Sequence, residues 1–329
     1  MAGGNLSRKT TVFAKLEAVQ GTDIWAAGDP AATDAQLIFG DGAGIYTPDV
    51  AMVDLQPLRG TLTQTKNLHG RALAKVALQT CLMSKGSTGA PSPWFDALLR
   101  ACGNGVVGSA PASSSAATYA PIDSAFKSVS VAVYADGLKH LVTGCMGTAT
   151  LDLTAGQAPK LNFDLQGVLG TVSAVATPAT TFPTDNKTLV GSETLRITPL
   201  GGSAYTPIVR SIQVAFGVGV VERNDANAAL GFSGLFITSR APTVTLVIET
   251  DTILSALDPI NDVITNKTHA IEFTHGSGVQ SKIIFTAATA ELGVPTYSDD
   301  NGFRMYNLPY RLQSATAMGE WTLAFHEKQ

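Results

Sequence analysis

The stretch DGLKHLVTGCMGTATLDLTAGQAPKLNFDLQGV, residues 136–168, indicates the fold. Apolar and polar residues alternate along both of its halves, and Ala155-Gly156 stands between the halves. A period of two is typical of a strand with one buried face, and glycine permits a tight turn between two such strands. We therefore predict a hairpin of two long antiparallel strands.

A related pattern returns near the C-terminus, in GVQSKIIFTAATAELGVPTYSDDNGFRMYNLPYRLQ, residues 278–313. Both stretches begin at or beside a glycine, carry Thr-Ala-Thr or Ala-Thr-Ala in a first strand, turn, and end on a second alternating strand. A second echo is local: Arg71-Ala72 precedes a strand that ends in Gln79-Thr80, and Arg240-Ala241 precedes one that ends in Glu249-Thr250. These echoes predict that one β-unit is duplicated within the chain.

The domain boundaries follow from this duplication and from the most polar, proline-containing segment. We predict a first unit over residues 1–170, which includes a flexible N-terminal arm (1–12) and a long loop (21–44). A linker over 171–190 and a second unit over 191–329 complete the chain, because Pro178 and Pro183 interrupt any regular pattern there.

The remaining elements are predicted from periodicity. A helix is expected over 92–103, with Ser92 as N-cap and Pro93 in the first turn, and a short helix is expected to begin at Asp251 and to end before Pro259. Residues 103–118 are predicted as a loop. Further strands are expected at 52–59, 73–82, 126–134, 194–198, 208–221, 234–250, 270–274, 279–292, 303–312 and 321–325. The fold class is therefore mainly β with short flanking helices.

Composition excludes several classes of protein. Charged residues make up 15% of the 329 residues, whereas roughly 25% is usual for soluble domains. The net charge of −4 argues against a protein that grips DNA or RNA, which would need concentrated lysine and arginine. The three cysteines have unrelated spacings and are expected to be reduced core residues. No signal peptide, membrane-spanning segment or membrane anchor is predicted.

No catalytic, cofactor-binding or metal-binding residues are nominated. The glycines of GDGAG (residues 40–44) precede Ile-Tyr-Thr-Pro, which cannot begin the helix that a phosphate loop needs. Asp299-Asp300-Asn301-Gly302 is interpreted as a hairpin turn rather than a calcium loop. The five histidines are dispersed, so neither a triad nor paired metal ligands can be assigned, and we predict that the protein is not an enzyme.

The opening stretch resembles the tail tube (major tail) proteins of long-tailed bacteriophages. The positions that carry the resemblance are Asp136, Gly137, His140, Gly144, Gly147, Thr148, Ala155, Gly156, Pro159, Phe163 and Gly167. Further similar stretches begin at Glu17, Pro93, Arg240, His275, Pro295 and Asn301, so the resemblance spans most of the chain. Met146 departs from the family, which often has arginine after the Gly-Cys pair.

The resemblance implies a β-sandwich or barrel-type subunit whose sheets join those of neighbours into a closed ring. Rings would stack into a hollow tube that conducts double-stranded DNA to the host. Six-fold rings are usual in the family, so a duplicated chain would form a trimer of two-unit chains, which we slightly prefer to a hexamer. The N-terminal arm and the 21–44 loop, with Trp25, Asp29, Phe39 and Asp41, would then be candidates for contacts between stacked rings.

The resemblance also implies partners and a location. Besides itself, the chain would contact tape-measure, tail terminator and tail-tip proteins, and DNA would pass transiently through the lumen. It would be assembled in the host bacterial cytoplasm and reside in the virion tail. The alternatives are the inner tube of a contractile tail, a tube terminator, a secreted β-rich adhesin or outer-membrane barrel, and a hydrolase whose residues converge only in space.

Overall fold

The computed structural model describes residues 6–40, 42, 44–56, 58–60, 63–83, 93–107, 116–182, 189–191, 194–228, 231–250, 257–276, 282–314 and 319–326. These residues form two α-helices, α1 (Asp96–Ala101) and α2 (Pro259–Ile264), and nineteen strands. The strands of the first half are β1 (Thr10–Leu16), β2 (Ala35–Gln36), β3 (Tyr46–Val53), β4 (Leu68–Cys81), β5 (Asn104–Val107), β6 (Ala116–Pro121), β7 (Val129–Ala135), β8 (Leu138–Thr154) and β9 (Lys160–Ala174). Those of the second half are β10 (Thr194–Pro199), β11 (Val209–Ala215), β12 (Val218–Asn224), β13 (Phe232–Arg240), β14 (Thr243–Glu249), β15 (Thr268–His275), β16 (Ile283–Leu292), β17 (Thr296–Asp300), β18 (Phe303–Gln313) and β19 (Thr322–His326).

The strands of the two halves are paired in the same order. In the first half the antiparallel order is β1–β7–β8–β9–β4–β3. In the second half it is β10–β15–β16–β18–β14–β11. Each half also has its α-helix at the corresponding place in the chain, α1 between β4 and β7 and α2 between β14 and β15.

Strand β8 of the first half and its counterpart in the second half, β16, differ in one respect. β8 runs unbroken along β9, whereas the equivalent side of β18 is covered by two shorter strands, β16 and then β17. The break falls at Gly293-Val294-Pro295, where the Gly293 N–H still donates to the Pro309 carbonyl at 2.7 Å. Proline cannot donate to a ladder, which accounts for the interruption.

The two halves are joined by strand pairing at two places. The C-terminal part of β8 pairs with β11, from Thr150↔Ala215 to Thr154↔Ser211. The last strand, β19, lies between β16 of the second half and β6 of the first half. One buried cluster of apolar side chains therefore extends through both halves.

The centre of this core is rich in aromatic rings. Phe325 makes edge contacts with Phe95 and with Tyr119 at 5.7 Å, which connects β19 to the residue before α1 and to β6. Phe216 stacks on Trp321 with ring centroids 4.4 Å apart. Such pairs add to the burial of apolar area and fix the relative orientation of the elements.

The helix α1 is shorter than predicted, and α2 was not predicted. α1 begins at Asp96, and Pro93 lies before it rather than in its first turn, while Ser92 lies outside the described residues. Asp96 and Arg100 are in the first and last turns as predicted, and they form an ion pair at 2.9 Å. The helix predicted to begin at Asp251 and to end before Pro259 lies largely outside the described residues, whereas α2 begins at Pro259, because proline suits a first helical position and the Asp258 side chain accepts from the Asn261 N–H.

Several predicted strand bounds were also wrong. The predicted flexible arm, residues 1–12, includes the first three residues of β1, a strand that pairs along its length with β7. The first predicted strand at 52–59 is displaced to Tyr46–Val53, and the predicted loop at 103–118 contains β5 and the start of β6. The strands predicted at 208–221 and 234–250 are each divided in two, at Phe216-Gly217 and at Ala241-Pro242, while the antiparallel register is the same on both sides of the breaks (Ala215↔Thr243 and Val218↔Arg240).

The remaining strands lie close to their predicted positions. β9 continues to Ala174, four residues into the predicted linker. The three cysteines are buried and form no disulfide, as predicted. Asn301 and Gly302 both have positive φ (54° and 89°) and form the predicted hairpin turn, between β17 and β18. The mainly β fold class is thus confirmed.

Candidate assembly interface

Eight of the strands form one continuous antiparallel sheet. Its order is β3–β4–β9–β8–β11–β14–β18–β17, with the junction of the two halves, β8–β11, in the middle. Within the part of the chain that the structure describes, neither β3 nor β17 has a partner on its outer side. Unpaired N–H and C=O groups at such edges are templates for pairing with another chain.

One face of this sheet is polar, and its side chains are bonded to one another. Gln79 of β4 donates to Asn162 of β9 at 2.8 Å, and Asn162 donates to Asp152 of β8 at 2.7 Å. Gln213 of β11 donates to the other oxygen of Asp152, also at 2.7 Å. The neighbours of Asp152 in sequence, Leu151 and Leu153, are buried on the opposite face. The sheet therefore has one apolar face against the core and one polar face without such cover.

The β3 edge exposes apolar side chains. Val50, Met52 and Val53 are 37%, 60% and 49% exposed, and Leu55 and Leu68, just beyond the ends of β3 and at the start of β4, are 56% and 54% exposed. A continuous group of exposed apolar residues on a strand edge is typical of a surface that is covered by a partner.

The β17 edge has a different composition. Tyr297 contacts Tyr306 with ring centroids 4.9 Å apart, and the Arg304 guanidinium lies 3.9 Å from the centre of the Tyr297 ring. The hydrogen bond with Tyr297, together with burial, raises the pKa of Tyr306 to about 12. Asp300 forms an ion pair with Arg210 at 2.5 Å. The ring and guanidinium contacts hold β17 against β18, and the ion pair connects it to β11, while its outer side is unpaired in the described residues.

The motif residues at the start of β8 form a turn that anchors the N-terminus. Asp136 and Gly137 have φ of 45° and 93° and connect β7 to β8. The Asp136 carboxylate accepts from the Leu6 N–H at 3.0 Å and from Lys9 Nζ at 3.3 Å. The Leu6 N–H is the main reason that the pKa of Asp136 is lowered. Asp136 thus has a local structural role at this turn.

Gly144 and Glu17 form a buried polar contact. β8 carries a bulge between Val142 and Cys145, where Gly144 has φ of 64°. The Gly144 N–H donates to the Glu17 carboxylate at 2.7 Å. The same carboxylate accepts from Gly21 N–H at 2.7 Å and from the hydroxyls of Ser128 and Ser130 at 2.6 Å. This buried acid therefore connects β1, β7 and the bulge of β8.

Gly147 and Gly167 allow close packing of β8 and β9. A Cβ on Gly147 would lie 1.9 Å from the Asp164 carbonyl oxygen, and one on Gly167 would lie 2.5 Å from Cys145 Sγ. Gly156, with φ of 75°, and buried Pro159 form the turn between the two strands, where the Gly156 N–H donates to the Val190 carbonyl at 2.7 Å.

His140 is the third residue of β8, and its ring packs on that of Tyr46 with ring centroids 4.8 Å apart. The motif residues therefore lie along one hairpin in separate local contacts, and they do not converge on a single site. Their roles as family-motif positions remain predictions.

The 21–44 segment is partly anchored in the protein. Trp25 is buried with Phe13, Ala35 and Tyr134, and the Phe39 N–H donates to the Gln79 carbonyl at 2.8 Å. Asp29 is exposed and Phe39 half-buried, whereas Asp41 lies outside the described residues. The segment also contains β2, which pairs with β1.

A buried histidine makes the stability of the second half dependent on pH. His269 Nε2 lies 3.0 Å from the Asp262 carboxylate, and the residue is 1% exposed. Burial is the largest effect on its pKa and lowers it, against the opposing effect of Asp262, and burial likewise lowers the pKa of His326. The unfolded chain therefore takes up protons at a higher pH than the folded chain.

We accordingly expect the free energy of unfolding to be maintained above the ordinary histidine pKa of about 6.5 and to decrease over the pH interval below it, until the folded chain is protonated too. Urea denaturation at a series of pH values would measure this change. His269→Gln should flatten the dependence, because glutamine keeps a donor towards Asp262 but does not titrate. Stability that stays constant or rises over this interval would contradict the prediction.

Two properties of the described residues bear on other functions. No helix among them is both long and apolar enough to cross a bilayer. They also contain no group of three or more histidine, cysteine, aspartate or glutamate side chains placed to hold a metal ion.

The two sheet edges and the Glu17 contact were not identified from the sequence as functional features. The signal for β17 was available in the Asn301-Gly302 dipeptide, which predicted a hairpin, but residues 296–300 were assigned no strand. Glu17 was noted only as part of a family stretch. The segment VFAKLEAV, residues 12–19, places Glu17 within an alternating apolar pattern. This pattern could have indicated that the glutamate is buried.

Comparison with known proteins agrees with the motif resemblance. A family model described as phage tail tube protein matches residues 7–313, which is nearly the whole chain. A search of the curated proteins found no match. The family is structural, which is consistent with the prediction that the chain is not an enzyme. The resemblance seen in the motifs is confirmed: the chain belongs to the phage tail tube protein family, and it is a component of the virion tail.

Proposed function

We propose that the chain self-assembles through the two open edges of its eight-stranded sheet into rings that stack as the tail tube of a long-tailed phage. The observation that carries this proposal is the sheet itself, which has an unpaired strand at each end and a polar face outside the core. Closing the sheet across copies would satisfy both edges and remove an aggregation hazard.

The stoichiometry is proposed from the internal repeat. The equal strand order of the two halves supports a duplicated chain with units at 1–170 and 191–329 and a linker at 171–190. If each unit occupies one position of a six-fold ring, three chains would complete it. We therefore propose a trimeric ring and keep the hexamer as the alternative.

The polar face is proposed to line the lumen. Its bonded row contains the amides Gln79, Asn162 and Gln213 around one carboxylate, Asp152, rather than a concentration of lysine and arginine. DNA would bind weakly to such a surface, because non-specific affinity for DNA depends on the number of phosphates that cations neutralise. A passage that delivers double-stranded DNA to the host requires this weak binding.

Contacts outside the ring complete the proposal. The N-terminal arm and the 21–44 segment, with exposed Asp29, half-buried Phe39 and Asp41, are proposed to contact the next ring, while buried Trp25 would hold the segment in place. The further partners would be tape-measure, terminator and tail-tip proteins, with assembly in the host cytoplasm. The inner tube of a contractile tail, or a terminator, is the alternative role within the virion.

Electron microscopy of the purified protein tests this function. After concentration we expect hollow tubes of uniform diameter with a regular axial repeat, because heterologous edge contacts close into rings whose flat faces can stack. A monodisperse monomer at every concentration tested would contradict the proposal and would favour an adhesin or an enzyme. Single rings that do not stack would instead indicate a terminator.

A further inference from the structure

The junction between the two halves offers a template for the contact between copies. β11, the last strand in the order of the second half, pairs antiparallel with the C-terminal part of β8. The pairing is continued by the bonds Phe216 N–H to Ala149 O (3.0 Å) and Ala155 N–H to Arg210 O (3.1 Å). The contact is therefore a complete ladder between two units that are equivalent in strand order.

Each partner in this junction has a counterpart with an open edge. β3 takes the place in the first half that β11 takes in the second, since each is the outer neighbour of the equivalent strands β4 and β14. β17 takes the place of the C-terminal part of β8. Along β18, β16 pairs first and β17 pairs next, just as the N-terminal part of β8 and then its C-terminal part pair along β9. In the described ranges, β3 and β17 each have one pairing only.

The open backbone groups on the two edges alternate as a ladder requires. The Ile45 carbonyl accepts from the Ala77 N–H, so Tyr46, Pro48 and Val50 direct their backbone groups away from β4. The Arg304 carbonyl accepts from the Thr250 N–H of the opposite neighbour, so Tyr297 and Asp299 direct theirs away from β18.

The register follows from aligning the buried residues of equivalent strands. Val76 of β4 corresponds to Leu246 of β14, because both lie at the same distance from the Gln79-Thr80 and Glu249-Thr250 pairs that end the strands. Their partners Tyr46 and Ile212 then correspond, so Thr47 takes the place of Gln213.

The same alignment fixes the other strand of the contact. Val76 pairs with Leu165 of β9, and Leu246 pairs with Leu308 of β18. Two residues before these partners lie Phe163 in β9 and Tyr306 in β18. Their partners, Ala149 and Tyr297, correspond in turn. Asp300 therefore takes the place of Asp152.

We propose that β3 of one copy pairs antiparallel with β17 of the next copy, with Thr47 opposite Asp300 and Asp49 opposite Ser298. This inference rests on the proposed ring and names the strands that close it. The strand pairing between units would then have the same geometry within a chain, at β8–β11, and between chains, at β3–β17. The sheet would be continuous around the lumen. The contact is heterologous, since the two edges differ, and such contacts form rings when the rotation closes.

The side chains at the proposed contact are compatible with this register. Gln213 donates to Asp152 across the internal junction at 2.7 Å, and the Thr47 hydroxyl would donate to Asp300 in the same way. Lys75, exposed and opposite Thr47 on β4, would add a positive charge beside that carboxylate. Pro48 has no N–H to donate, so the proposed ladder has one hydrogen bond fewer. The same missing donor makes the free β3 edge less able to pair with other strands before assembly.

Engineered disulfides test the register, because the three native cysteines are buried and form no disulfide. Residues 47 and 300 would form a non-hydrogen-bonded pair, with Cα atoms about 4.5 Å apart, which is within the range that a disulfide spans. In tubes of the Thr47→Cys/Asp300→Cys variant, mild oxidation should join neighbouring copies into closed covalent rings. Non-reducing electrophoresis then gives the number of chains in a ring, which the duplication predicts to be three.

The matched control is Thr47→Cys/Thr296→Cys, whose second cysteine lies roughly 13 Å further along the same strand and should cross-link at least about tenfold less. Gln213→Cys/Asp152→Cys is the positive control, since the equivalent pair lies within one chain and should oxidise without a change in oligomer size.

A second pair, Asp49→Cys/Ser298→Cys, tests the same register if the first variant does not assemble. Tubes in which neither pair cross-links more than the control would overturn the proposed strand pairing and leave the tube function intact. Absence of tubes from the unmodified chain would instead contradict the function.

Discussion

Gly147→Ala is expected to destabilise the protein by about 3–4 kcal/mol, because the new Cβ would overlap the backbone of the neighbouring strand. That Cβ would lie 1.9 Å from the Asp164 carbonyl oxygen and 2.7 Å from the Leu165 Cα. Backbone atoms in the middle of a paired strand cannot move aside without breaking the β8–β9 ladder. Chemical denaturation followed by circular dichroism would measure the loss, and assembly into tubes should fail at the same time.

Gly28→Ala is the control for this substitution. A Cβ on Gly28 has no heavy atom within 4 Å, and its φ lies outside the left-handed region. Its expected effect is within about 0.5 kcal/mol of zero. Equal stability of the two variants would show that β8 and β9 are farther apart at Gly147 than described.

Glu17→Ala is expected to cost about 4 kcal/mol, since it leaves several buried donors without an acceptor. The carboxylate accepts from two N–H groups, of Gly21 and Gly144, and from the hydroxyls of Ser128 and Ser130. Glu17→Gln should cost about half as much, because each hydroxyl can reorient to accept from the new amide whereas the N–H groups cannot. Thermal and urea unfolding of the three proteins would establish this order.

Glu272→Ala is the matched control on the surface. Glu272 is 45% exposed and lies 3.9 Å from Arg196, so its removal should change the free energy of unfolding by less than about 1 kcal/mol. If Glu17→Ala were as mild as this control, the buried carboxylate would have no part in holding β1, β7 and the β8 bulge together.

The parts of the fold that sequence predicted best are those with strong local signals. The 136–168 hairpin was predictable because apolar residues alternate over long strands, and the Asn301-Gly302 turn because this dipeptide favours positive φ at both positions. The start of α2 was missed because Pro259 has two opposite meanings, a stop within a helix and a favourable first residue, and Asp258 as the cap favours the second.

The candidate site was harder to predict because it depends on pairing between residues distant in sequence. β1 was missed since its sequence, TTVFAKL, is apolar over a stretch too short to distinguish from an arm without knowing that β7 pairs with it. The open edges of β3 and β17 are defined by what does not pair with them, which no local pattern encodes. The motif positions identified the family, but they did not show which strands meet.

The position of β19 has a consequence for biosynthesis. This strand, Thr322–His326, lies between β16 and β6, so β6, which also pairs with β5, gains its second neighbour only after residues 322–326 have left the ribosome. Until then the first half cannot complete the shared core, in which Phe325 contacts Phe95 and Tyr119. We therefore expect nascent chains that lack β19 to be incapable of polymerising, so that polymerisation begins only from molecules in which this strand is in place.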